Sequence, residues 1–235
     1  MTQITSTGNN FGGNAITFRT YQNGKFLILN GRLAIQTNTP QFAAAEQLEI
    51  YVPELSVKRS VDTSLYAIYT YNGYRVVTIA RSWIKNSKTI CIEKMACFSG
   101  CEDIELVFCC LYTTKGKSKT LIPAARIPVS LADFGDQAEL SFQQCIDMPE
   151  WFHLSIKAIG LANRDLTQPF QFGMSGVAEN QEYDFLLICC SQDYRVHGNL
   201  FCTGHFKDLN VSCPGIPRLT DKWSKTFILY GFFVK

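Results

Sequence analysis

Leu65 to Tyr71 reads LYAIYTY, Asn72-Gly73 follows, and Tyr74 to Ala80 reads YRVVTIA. Both runs are rich in β-branched and aromatic residues, which suit a pleated surface. An Asn-Gly pair between them spells a hairpin, because both central residues of the tight turn must take positive φ. The same signal recurs upstream, where Gln22-Asn23-Gly24-Lys25 joins ITFRTY (16–21) to KFLILNGRLAI (25–35). Downstream, Ile104 to Tyr112, Lys115-Gly116-Lys117 and Thr120 to Val129 read as a third hairpin. In LEIYV (48–52), Leu48, Ile50 and Val52 share one face, Glu49 and Tyr51 share the other, and Pro53 bends the end. Helix signals are sparse. Thr39-Pro40 makes a cap and first-turn pair and predicts a short helix over 40–47, and Ser130 to Gln137 suggests one further turn. The class is all-β, with one short helix per repeat at most.

Composition narrows the partners. Hydrophobic residues make up 46% and charged residues 18%, too apolar for a disordered chain. A net charge of +2 sets up no field that would gather nucleic acid or an anionic membrane. MTQITSTGNNFGGN (1–14) has no basic region followed by an apolar one, so no secretory signal is expected. The longest apolar run, FILYGFFV (227–234), is a strand length, far short of the roughly twenty residues of a membrane helix.

The chain appears twice in outline. ITFRTYQNGKFLILNGRLAI (16–35) aligns with LSFQQCIDMPEWFHLSIKAIG (140–160), and Trp83 with its following Ser-Lys-Thr aligns with Trp223. The offset between matched residues climbs from 124 at Phe18/Phe142 to 137 at Ser87/Ser224, as a duplication with small insertions would give. The expected organisation is two tandem antiparallel β-sandwich domains, jelly-roll-like. A flexible N-terminal arm would span 1–13, the first sandwich 14–129 with the 104–129 hairpin, and the second 130–235.

Chemistry is harder to find. Most of the ten cysteines lie in apolar runs such as VFCCLY and FLLICC, where Cys acts as a small buried hydrophobe, so free thiols are expected. Cys97 and Cys101 stand as C-x3-C without a matching second pair, which argues against zinc. His153, His197 and His205 carry no nucleophile pattern, and Asp103 and Glu105 share a face without a located partner acid. No catalytic, cofactor-binding or metal-binding residue is assigned. Lys115, Lys117 and Lys119 sit at a hairpin tip where they could meet a partner. Trp151 follows Pro149-Glu150 at a strand start and is the expected exposed aromatic, whereas matching places in the repeat put Trp83 and Trp223 in a core or interface.

The polar arm TGNNFGGN (7–14), the tandem β pattern with Asn-Gly turns, the stretch ARSWIKNSKTICIEK (80–94) and the aromatic end FILYGFFVK (227–235) together resemble accessory virion proteins of tailed bacteriophages, gut-phage structural proteins among them. The resemblance implies a non-enzymatic component of a capsid, head fibre, collar or tail. Such a protein would be assembled in the host cytoplasm and act as a homo-oligomer against other virion subunits. Phe11 in the arm and Phe232 and Phe233 in the last strand are then contact candidates, with Trp151 and the three lysines. A carbohydrate-binding or adhesin module reading a glycan through Trp151 is the alternative.

Overall fold

The computed structural model describes the backbone of residues 2–62, 64–114, 129–130, 138–145, 148–158, 170–174, 181–190, 196–207, 210–213 and 225–234, and the side chains of 2–58, 65–114 and Trp151. Two compact units emerge, Met1–Thr120 and Leu121–Lys235. Strands dominate both. The helix expected at Thr39-Pro40 is present as α1 (Pro40–Ala44), with the Thr39 hydroxyl accepting the Phe42 amide. It is the only α-helix among the described residues.

The first unit contains β1 (Thr2–Thr5), β2 (Gly8–Asn9), β3 (Thr17–Asn23), β4 (Phe26–Gln36), β5 (Leu48–Tyr51), β6 (Arg59–Asp62), β7 (Ser64–Tyr71), β8 (Tyr74–Lys85), β9 (Thr89–Ile92) and β10 (Asp103–Thr113). Nine of these form one path in the order β1-β3-β4-β10-β7-β8-β9-β5-β2, and β6 extends β7 along the same edge of β10. The Asn72-Gly73 turn is as read, with φ 51° and 75°. In the upstream hairpin the turn shifts by one residue: Asn23 ends β3 facing Phe26, and Gly24-Lys25 makes the turn with Gly24 alone at positive φ, 55°.

β8 is long enough to serve two neighbours. Its residues 74–81 pair with β7, and 82–85 pair with β9. The sheet curls there until both arms share one core. Leu29, Leu65 and Leu106 from one arm and Leu48, Ile50 and Ile90 from the other belong to a single buried cluster.

The N-terminal segment closes the other side, which corrects the expectation of a free arm over 1–13. β1 pairs with β3, the Ser6 amide donates to Ile16 O (2.8 Å), the Thr7 amide donates to Tyr51 O (2.8 Å), and β2 pairs with β5. One segment thus stitches the two ends of the path together. Phe11, expected on the surface, is 1% exposed in the core. The physical reason is an unpaired sheet edge at each end, which gains ladder hydrogen bonds from a Thr-rich extended segment.

Gly31 has a steric task. In β4 it lies opposite Phe108 of β10, and the Phe18 ring of β3 sits over it, meeting Phe108 edge-to-face at 5.2 Å. A Cβ on residue 31 would come within 2.6 Å of Phe18 Cδ1. Gly31→Ala is therefore expected to lower stability by about 1–3 kcal/mol, as overpacking does. Urea denaturation checks this; a neutral or stabilising result would mean that the Phe18 ring moves freely.

The second unit contains β11 (Val129–Ser130), β12 (Ala138–Cys145), β13 (Met148–Ala158), β14 (Phe170–Met174), β15 (Gln181–Cys190), β16 (Val196–Lys207), β17 (Asn210–Cys213) and β18 (Lys225–Val234). Their order is β12-β13-β18-β15-β16-β17-β14-β11. With β1 and β6 set aside, the first unit reads β3-β4-β10-β7-β8-β9-β5-β2. Strand for strand, in chain order, the two sequences of neighbours are the same.

The registers agree too. Adding 122 to the facing pair Gln36 and Asp103 gives Ala158 and Lys225, which face each other. Adding 121 to Leu65 and Ala80 gives Leu186 and Phe201, again partners. The pair Ile84 and Ile90 maps with 121 and 122 onto His205 and Ser212, also partners. The β3–β4 ladder is the exception: Arg19 faces Asn30 and Gln144 faces Phe152, so 122 added on β4 requires 125 on β3, close to the 124 read at Phe18/Phe142. Beyond β3 the offset stays at 121 or 122 in the pairs above and does not climb to 137. In particular, Leu65 corresponds to the β15 region and not to Leu200.

The boundary also moves. Of the 104–129 hairpin, β10 is present with β4 on one edge and β6 and β7 on the other, and residues 115–128 lie outside those described. Val129 and Ser130 pair instead with Met174 and Gly173 of the second unit. The turn expected within 130–137 falls on residues outside those described, apart from the strand position of Ser130.

Candidate functional site

The outer face of β8, β9 and β5 gathers the most chemistry among the described side chains. Facing residues of a ladder share a face, as do residues two apart in one strand. Trp83 faces Cys91, which faces Glu49; Lys85 faces Thr89, which faces Tyr51. Ile50 and Ile90 point the other way, into the core. The middle column is short and buried (Cys91, Thr89), and the flanks stand taller, with Trp83 38% and Tyr51 51% exposed. Standard ladder and rise spacings put the Trp83 and Tyr51 Cα atoms about 12 Å apart.

Lys85 Nζ reaches across the floor to Glu49 Oε1 (3.1 Å), and Gln47 Nε2 donates to the same oxygen (2.5 Å). The Gln47 amide first, then Lys85, hold the Glu49 carboxyl below its ordinary 4.5. The charge therefore persists through neutral pH. Asn10 fixes the rim: its Nδ2 donates to Gln47 O (2.9 Å) and its Oδ1 accepts the Glu49 amide (2.7 Å). No hydrogen bond engages Glu49 Oε2, the Trp83 indole N–H or the Tyr51 hydroxyl among the described residues.

Cys91 on the floor is no nucleophile. Burial, then the Glu49 charge, pushes its thiol up to about 11, so it stays protonated at neutral pH. Cys101 is likewise raised to about 11, chiefly by burial, with its Sγ donating to Cys97 O (2.8 Å). All five described cysteines are free thiols. Cys97, half-buried, is expected to be alkylated by iodoacetamide in the native state well before the buried Cys91, Cys101, Cys109 and Cys110. Peptide mass spectrometry over a time course reads the order, and early labelling of Cys91 or Cys101 would contradict it.

The sequence-derived candidates are placed differently from their reading. Trp151 in β13 is 0% exposed, so it offers no platform to a ligand or partner, and it is Trp83 that reaches the surface. Alternation alone could not tell which side of these strands is covered. Phe232 and Phe233 lie in β18, whose edges are both taken, by β13 and β15, so this strand cannot pair with another subunit through its backbone. Lys115, Lys117 and Lys119 lie outside the described residues.

Asp103 and Glu105 are tied into the sheet. Glu105 bridges Arg32 and Arg75, the latter at 3.0 Å, and Asp103 Oδ1 accepts the Thr70 amide (3.1 Å). The ladder sets none of the histidines side by side. His197 and His205 are eight residues apart in β16, about 26 Å, and His153 lies three ladders away in β13.

A second, open cleft of about 390 Å³ lies beside β1, lined by Thr2, Ile4, Thr20, Gln22, Leu55 and Ser56 with Glu54 at its rim. Hydroxyl and amide groups dominate its polar lining. No cluster of His, Cys, Asp and Glu suited to a metal occurs among the described residues, and no helix there is long and apolar enough to cross a membrane. The residues of the Trp83 face that sequence reading passed over, Glu49 and Tyr51, were visible as one face of LEIYV; their meeting with Lys85 and Trp83 depends on β9 lying between. No family model and no curated protein matches the chain.

Proposed function

We infer that the chain is a non-enzymatic assembly protein, a virion component of the tailed-phage kind, built from two copies of one two-layered β unit and acting through contacts with like subunits. The observation that carries this reading is the repeated strand order of the two units. Two like modules on one chain present related surfaces in tandem, which suits a repeating lattice of subunits or partners of differing symmetry. A duplicated scaffold with carboxylates tied into ion pairs and with raised thiols favours contact over chemistry.

Size-exclusion chromatography with light scattering, on the full chain over a wide concentration range, tests it. A discrete closed homo-oligomer is expected. A strict monomer up to the solubility limit would overturn the reading.

A further inference from the structure

We propose that the outer face of β8, β9 and β5 is a binding site for a neutral carbohydrate, with Trp83 as its stacking platform and Glu49 as its main hydroxyl acceptor. This goes beyond the assembly reading and does not depend on it.

The argument begins with charge. The charged pair on the patch itself, Lys85 and Glu49, is bonded at 3.1 Å and neutralises itself, which leaves no net attraction for an anion or a cation. What remains are exposed rings and hydrogen-bonding atoms without partners.

A sugar fits both. Its pyranose face carries C–H groups of partial positive charge, which suit the electron-rich face of an indole. Its adjacent hydroxyls need acceptors and donors held in place. Glu49 supplies one preorganised acceptor: Lys85 and Gln47 occupy Oε1, Asn10 fixes the backbone beneath, and Oε2 is unengaged. A carboxylate accepts hydroxyl protons strongly. The Trp83 N–H, the remaining Lys85 protons and the Tyr51 hydroxyl complete the set. Cys91 and Thr89 are covered by the flanking side chains, and Lys85 bridges to Glu49 above them, so a ligand would meet Trp83, Glu49, Lys85 and Tyr51 themselves. The two rings stand at opposite corners of this patch, about 12 Å apart, a separation that suits more than one sugar ring.

The test uses the full chain on an array of cello-, xylo-, manno- and chito-oligosaccharides, with sialylated and sulfated glycans as charged comparators. Binding to at least one neutral series is expected. Trp83→Ala should weaken it roughly tenfold or more, the scale of one lost aromatic contact. Trp83→Phe should retain most of it, and Glu49→Gln should weaken it with the fold intact. Tyr71→Ala, exposed at the hairpin tip, should leave it unchanged. Thermal melts confirm folding of each variant. No binding to any neutral series, binding to charged glycans alone, or undiminished binding by a folded Trp83→Ala protein would overturn the proposal. Oligomer size plays no part in this readout, so failure here and failure of the assembly reading are separable.

Discussion

Phe108→Ala is expected to cost about 3–5 kcal/mol of stability, the range for removing a large ring from a packed core. Phe108 is fully buried near the middle of β10, the strand through which β4 on one side and β6 and β7 on the other are joined. Its ring meets Phe18 edge-to-face across Gly31. Truncation would remove the ring contact and leave a void that β-sheet backbone cannot collapse to fill. Urea denaturation of the full chain measures the loss, and hydrogen exchange over residues 103–113 locates it. A loss under about 1 kcal/mol, within the ordinary range of single substitutions, would show that this row is not the centre of the first unit.

Phe11→Ala carries the second large effect, again about 3–5 kcal/mol. Phe11 is buried in the same cluster as Leu29 and Ile50. Its carbonyl accepts the Thr39 hydroxyl (3.0 Å) and its amide donates to Asn9 Oδ1 (3.2 Å). It is the plug that holds the closing segment between the arms of the sheet. A surface residue in a mobile arm would change stability by no more than about 0.5 kcal/mol. The measurement thus separates the two views of the N-terminus cleanly. Loss of exchange protection at Gly8 and Asn9 in the variant would tie the effect to that closure.

These two phenylalanines mark where sequence reading stops. Phe18 and Phe108 sit in clear alternating or apolar runs, and their burial follows from pattern. Phe11 sits between Asn10 and two glycines, where local chemistry spells a loop. Gly12 and Gly13 take positive φ, at 81° and 125°, in the turn after Phe11, where a free arm was expected. The side chain is buried because a distant element, the gap between the sheet's arms, needed filling.

The Trp83 face makes the same point about function. Glu49, Tyr51 and Lys85 were legible as outward or polar positions and Trp83 was read as core or interface, but no spacing in the chain brings residue 49 beside residue 85. β9 does so, by pairing with β5 on one edge and with the end of β8 on the other. Trp151 shows the reverse. A strand start after Pro149-Glu150 suggested exposure, and the side chain is fully buried.

By itself the sequence determined the local shapes: strands wherever alternation ran, a helix where Thr39-Pro40 could cap it, and a tight turn where Asn72-Gly73 could take positive φ. These depend on a residue and its near neighbours. Matching short strings let the offset climb along the chain, whereas the strand orders of the two units can be compared directly. Only the tertiary structure decided which strands lie side by side, that the N-terminal segment closes the first unit, and which tryptophan meets solvent. Those outcomes depend on long-range pairing, and an apolar strand such as β10, with both faces buried along most of its length, gives no sign in its own residues of what will cover either one.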